Sequence, residues 1–258
     1  MIRSPKNFLE SHLDTLRAQG RHTFTLSELQ KQFDISDQAL TKALQRIKQK
    51  KKAISLRKGF YVITPIPAPN LFIPDLMNFL NRNFYTGLLS AAAHHTLMQE
   101  TPNEYYIITK KPVLLPIRTN QLNINFYHKK KWDQDDIVDN ISSPELTALD
   151  LVHYAPRLGG FDRITAVLDD LTELMDAETL VATAKNYADT ATVQRLGYIL
   201  HEILYLAPFA ESLIDYLKTT KYYPILLHSQ KEKPESMVSG NIWRVIPNIG
   251  INDIHIVS

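Results

Sequence analysis

TLSELQKQFDISDQALTKALQRIKQKKKAISLRKGFYVI, residues 25–63, is the stretch whose reading decides the fold. Its first part places Leu26, Leu29, Gln30 and Phe33 at helical spacing, with Thr25 as an N-cap candidate. Asp34-Ile35-Ser36 then reads as a turn, and the Ser36 hydroxyl is positioned to accept from an orphan amide of the next helix. In that helix Leu40, Ala43, Leu44 and Ile47 form one apolar stripe, while Gln38, Thr41, Lys42, Gln45 and Gln49 fall on the opposite face. After Lys50-Lys51-Lys52 come two β-prone pieces, residues 53–56 and 60–63, joined by Arg57-Lys58-Gly59, which supplies turn chemistry. Helix, turn, helix and a basic hairpin, in that order, predict a winged helix-turn-helix.

Working outward, Phe8, Leu9, His12, Leu13 and Leu16 predict a preceding helix over 5–19 that stops at Gly20, followed by a short extended piece at 22–24. On the other side TPIPAPN, residues 64–70, holds three prolines and no charge, and reads as a semi-rigid linker. The expected organisation is a DNA-binding domain at 1–64, a proline-rich linker at 65–74 and a larger domain at 75–258. In the larger domain periodicity predicts helices over 74–81 and 86–97, strands over 105–109, 113–118 and 122–127, and helices over 161–175, 177–188, 190–205 and 208–219. Short strands are expected at 225–228 and 243–246. Ser143-Pro144-Glu145 is a start signal for a helix reaching Tyr154: an N-cap, a proline in the first turn and a carboxylate near the positive end of the dipole. The predicted fold class is α+β, a winged helix-turn-helix followed by a mixed, mainly helical domain.

Charge separates the same two regions. Through Ile63 the chain carries thirteen basic and five acidic side chains; the remainder carries sixteen and twenty-two. A basic head on an acidic body points to nucleic acid at one end. On that reading Gln38, Thr41, Lys42 and Gln45 face base edges in the major groove, and Arg46, Lys48, Lys50, Lys51, Lys52, Arg57 and Lys58 reach phosphates. A winged helix can also dock proteins, and the wing can replace the third helix as reader.

Catalytic chemistry finds little support. There is no cysteine, which excludes disulfides, thiolate metal sites and cysteine nucleophiles. His94-His95 has no His or carboxylate at i+4 to complete a metal pair, and the acidic 132–136 loop matches no calcium spacing. Glu104 and Lys110 flank a strand but lack the tight carboxylate-x-lysine spacing of a metal-dependent nuclease, and Gly159-Gly160 reads as a turn before a helix. Lys129-Lys130-Lys131 offers a second contact to nucleic acid or simply a charged strand end. No cofactor or metal is expected, the chain is read as a non-enzyme, and without a leader or membrane span it is read as cytoplasmic.

Several motifs together resemble one family. GRHTFTLSEL and ALTKALQRIKQKKKAISLRKGFYVI in the head, then FYTGLLSAAAHH, SSPELTALDLVHY, LGGFD, VQRLGYIL and WRVIPN, are similar in order and spacing to the AbiEi antitoxins of type IV toxin–antitoxin systems, in the subgroup with its own N-terminal winged helix. The resemblance implies a repressor of its own operon that binds promoter repeats. It also implies a C-terminal domain that counteracts a nucleotidyltransferase-like toxin encoded beside it. It singles out Tyr85, Gly87, Ser90, Glu145, Asp150, Arg195 and Tyr198 as antitoxin-domain candidates. Monomers binding side by side on the repeats are the expected assembly. A DNA-targeted metal-dependent nuclease or nucleotidyltransferase, and a ligand-sensing regulator, are the alternatives.

Overall fold

The computed structural model describes residues 8–96, 103–132, 135–233 and 240–249. The fold is α+β and divides into two compact units, residues 1–83 with 116–123, and residues 84–115 with 124–258.

The first unit is a winged helix. Its elements are α1 (Phe8–Ala18), β1 (Thr23–Thr25), α2 (Leu26–Gln32), α3 (Asp37–Gln49), β2 (Ala53–Arg57) and β3 (Phe60–Ile63). Both helix starts are set locally. The Thr25 hydroxyl accepts from Glu28 N while the Glu28 carboxylate accepts from Thr25 N, closing a capping box, and Ser36 Oγ accepts from Ala39 N. The three strands form one antiparallel sheet in the order β1-β3-β2, with Thr23 opposite Val62 and Ala53 opposite Ile63. Leu9, Leu13 and Leu16 of α1 meet Leu40, Leu44 and Ile47 of α3 in the core, together with Phe24 and Leu29. Of the apolar stripe of α3, Leu40, Leu44 and Ile47 are thus buried and Ala43 is half-buried against the same core.

The stretch expected as a linker is packed within this unit. A short 3-10 turn (Pro69–Leu71) leads into α4 (Ile73–Phe79), whose Asp75 accepts from the Thr23 hydroxyl and whose Phe79 ring lies 5.3 Å from that of Phe60. Of the strand expected over 113–118 only β6 (Ile117–Arg118) forms, because Pro112 and Pro116 have no amide to donate to a ladder.

In the second unit β4 (Phe84–Thr86), β5 (Glu104–Thr109), β7 (Asn123–His128), β8 (Ile137–Val138) and β9 (Ile141–Ser142) run in the order β7-β5-β4-β9-β8. β4 pairs antiparallel with β5 and parallel with β9. The helix expected from residue 86 begins later, as α5 (Leu88–Thr96), since residues 84–86 are taken by β4. α6 (Pro144–Tyr154) starts as its sequence predicts, with Ser143 Oγ accepting from Leu146 N. It is buried on nearly every face and packs against α5, α7 (Phe161–Thr172), α8 (Ala177–Tyr187) and α9 (Thr190–Tyr198). A helix apolar all round belongs at the centre of a domain, and α6 holds that place. Gly159 and Gly160, both at positive φ, turn the chain into α7. α9 widens after Tyr198 into a π-turn (Ile199–Ile203), α10 (Ala207–Lys218) follows, and β10 (Ile225–Leu226) pairs in parallel with β11 (Val245–Ile246). Among the described residues no helix is long and apolar enough to cross a membrane.

Candidate functional site

On the winged helix, Gln38, Thr41, Lys42, Gln45, Arg46 and Lys48 are all exposed on α3, and Lys58 is exposed at the hairpin tip beside half-buried Arg57. The remaining lysines are held differently. Lys51 ends α3 at φ 53, with its amide donating to Lys48 O and the Lys52 amide to Ile47 O, the bond pattern of a Schellman cap. The Lys50 and Lys52 ammonium groups both bond the Glu10 carboxylate of α1, Lys50 at 2.6 Å. These bonds, the one from Lys50 first, hold the Glu10 carboxyl below the usual carboxylate range. The triple-lysine run therefore fastens the exit of α3 to α1, and the exposed polar face lies upstream of it.

In the second unit the structure brings two of the antitoxin-domain candidates together. Tyr85 Oη donates to Asp150 Oδ2 at 2.6 Å, and the other oxygen of this buried carboxylate is bonded by the Lys129 ammonium. Burial, and then the Asp150 charge, push the Tyr85 phenol well above its usual range, so it remains a donor. Trp132 packs edge-on against Tyr85 with centroids 5.2 Å apart, and the Lys110 ammonium lies 4.7 Å from the centre of the Trp132 ring. Glu104 accepts from the Tyr106 hydroxyl, so Glu104 and Lys110 each have a partner of their own.

The other candidates hold the fold. Gly87 leaves no room for a Cβ, which would stand 2.9 Å from Ile108 Cγ1 and 3.0 Å from Tyr85 Cε2. Ser90 Oγ accepts from Tyr106 N, Glu145 accepts from Asp176 N at 2.9 Å, and Arg195 Nε donates to the carbonyls of Leu226 and Leu227. Tyr198 is buried in the main core.

Sequence reasoning passed over Gln194 and Gly197, which explain the VQRLGYIL motif. The Gln194 amide donates to Tyr223 O and Trp243 O, and a Cβ on Gly197 would stand 2.0 Å from the Trp243 ring. Together with Arg195 they dock the β10-β11 pair onto α9. A glycine inside a helix costs about 1 kcal/mol against alanine, and that cost was the readable signal of a close approach. His153 and Asp189 were also missed. His153 Nδ1 lies 3.2 Å from Thr192 Oγ1 and 3.5 Å from Asp189 Oδ2, while Asp189 Oδ1 caps α9 by accepting from Thr192 N. The bond from His153, ahead of that from Thr192, holds the Asp189 carboxyl far below its usual range. Among the described residues no group of three or more His, Asp or Glu side chains gathers to hold a metal ion.

These features define a two-part protein, a winged helix with an exposed polar and basic third helix carried on the same chain as an α+β domain built around one buried helix. Residues 85–202 match the family model of the AbiEi antitoxin C-terminal domain, and the match supports an antitoxin role in a toxin–antitoxin system. The match spans the Tyr85–Asp150 pair, all of α6 and α9. Among solved structures, the chain is similar to the RV2827C protein from Mycobacterium tuberculosis, with a TM-score of 0.62 and 14% identity over 95% of this chain and 92% of that one. At this identity the likeness is one of fold. No curated protein sequence matches the chain.

Proposed function

We propose that this protein is a cytoplasmic, non-enzymatic antitoxin that counteracts a nucleotidyltransferase-like toxin encoded beside it and represses its own operon by binding promoter repeats. The observation that carries the reading is the joining, on one chain, of an AbiEi antitoxin domain to a winged helix whose third helix exposes Gln38, Thr41, Lys42 and Gln45. Glutamine side chains suit the paired donor and acceptor of adenine, lysine suits guanine acceptors, and the threonine methyl suits thymine. Arg46, Lys48 and Lys58 supply phosphate contacts on the same reading, with Arg57 at the hairpin. Monomers then occupy adjacent repeats side by side.

The test is fluorescence anisotropy of the full chain on its own upstream DNA and on a scrambled duplex across a salt series. A salt-sensitive preference for the upstream DNA that Gln45→Ala relaxes and Lys42→Ala weakens supports repression through α3. Equal affinity for both duplexes at every salt concentration overturns it. Co-expression with the neighbouring gene product tests the second half: growth arrest that this chain fails to relieve removes the antitoxin assignment to that partner.

A further inference from the structure

A cavity of about 480 Å³ opens in the second unit between the end of β7, the C-terminal half of α6 and the junction of α8 with α9. Its wall contains an ion pair whose construction needs explaining. Asp150 is 1% exposed and both of its oxygens are engaged, one by Lys129 and one by Tyr85. Taking such charges out of water is costly before any compensation, so a buried pair is weak grounds for stability. What this pair does achieve is placement: Asp150 fixes the Lys129 ammonium at the cavity wall, 5.9 Å from the centre of the Tyr187 ring. An ammonium has three N–H donors, and Asp150 does not exhaust them.

The other polar groups lining the cavity divide by sign. The carboxylates are already satisfied by the protein, Asp150 as described and Asp189 by Thr192 N and His153. The donors of Lys130 and Asn186 are not: Lys130 is exposed, and so is Asn186 with its side-chain amide. Flat and apolar surface comes from the Tyr187 ring and from Leu149. Surplus donors, satisfied carboxylates, an aromatic face and a volume within the range of small-molecule sites together call for an anion that also carries a flat ring.

We propose that this cavity binds a nucleoside phosphate, with the phosphate on Lys129 and Lys130, the base against Tyr187 and the Asn186 amide on the base edge. Bound there, the ligand bridges the end of β7 and the C-terminal end of α8, and gives the antitoxin domain a small-molecule input. The proposal stands apart from DNA binding by the winged helix and uses none of that unit's residues.

The test is isothermal titration of the full chain with AMP, GMP, adenosine and inorganic phosphate. A nucleoside monophosphate is expected to bind at least about tenfold more tightly than phosphate or adenosine, the worth of adding one well-made charged contact. Lys130→Ala and Asn186→Ala, both at exposed side chains and expected to keep the wild-type melting profile, each weaken it by about tenfold. Lys42→Ala on α3 leaves it unchanged. Absence of binding by either nucleotide overturns the proposal. Equal affinity for phosphate and nucleotide reduces the site to a bare anion contact and overturns the ligand assignment. Loss of binding in Lys42→Ala with none in Lys130→Ala moves the contact to the winged helix and overturns the site.

Discussion

The two helices that matter most, α3 in the winged helix and α6 in the antitoxin domain, solve opposite problems with similar lengths. α3 buries Leu40, Leu44 and Ile47 along one stripe and leaves Gln38, Thr41, Lys42 and Gln45 in water. α6 is buried on nearly every face, with His153 exposed, and its two carboxylates, Glu145 and Asp150, are buried with it. On α3, then, a polar residue can serve recognition without serving the fold. On α6 every polar residue must first be satisfied, since an unpaired buried charge or donor costs more than a bond contributes.

The largest expected effect probes that contrast directly. Asp150→Ala strands the Lys129 ammonium and the Tyr85 hydroxyl, and should cost about 3–5 kcal/mol in urea unfolding; Thr41→Ala on α3 should stay within about 0.5 kcal/mol. Equal losses at the two sites break the comparison. Next comes Gly197→Ala, whose methyl group would overlap the Trp243 ring and force it to move. A loss of about 1–3 kcal/mol is expected, partly recovered when Trp243→Leu is added, and a double-mutant cycle reads the coupling.

Acid pH gives a smaller effect. Because the bond from His153 depresses the Asp189 carboxyl in the folded state, its charge contributes stability above the unfolded value, near pH 4, and loses it as pH falls through the lower folded value. Asp189→Asn keeps a capping side chain but not the charge. Its stability gap from wild type should be present above about pH 4 and close below it. Urea midpoints taken down the pH scale check this, and a gap that widens in acid reverses the sign.

In the winged helix the effects move from folding to binding. Glu10→Gln frees Lys50 and Lys52, so DNA affinity should rise and the dependence of log K on log salt should steepen by up to about two. An unchanged slope means that these lysines reach no phosphate. The smallest effect on stability belongs to Gln45→Ala, which should leave the melting temperature in place while costing about 1–3 kcal/mol of discrimination at one base pair.

How much was legible follows from the same contrast. The caps at Thr25, Ser36 and Ser143 and the amphipathic stripe of α3 were readable, because each is decided within four residues of chain. The short strands β4, β8 and β9 were not, because two or three residues carry no measurable period and exist only by pairing with each other or with β5. The lysine runs were half legible in both units for one reason. Their charge is visible in the sequence, but their counter-ions, Glu10 for Lys50 and Lys52 and Asp150 for Lys129, lie far away along the chain.

By itself the sequence determined the order of helices and the winged helix with its exposed polar face, since these rest on local periodicity, capping and composition, while its motifs carried the resemblance to the AbiEi antitoxins. Tertiary structure alone decided that Asp150 meets Lys129 and Tyr85, that Gly197 makes room for Trp243, and that a cavity forms between α6 and the α8–α9 junction. Those facts depend on which distant side chains share a buried space, and burial sets their energies through partners that no local window of sequence contains.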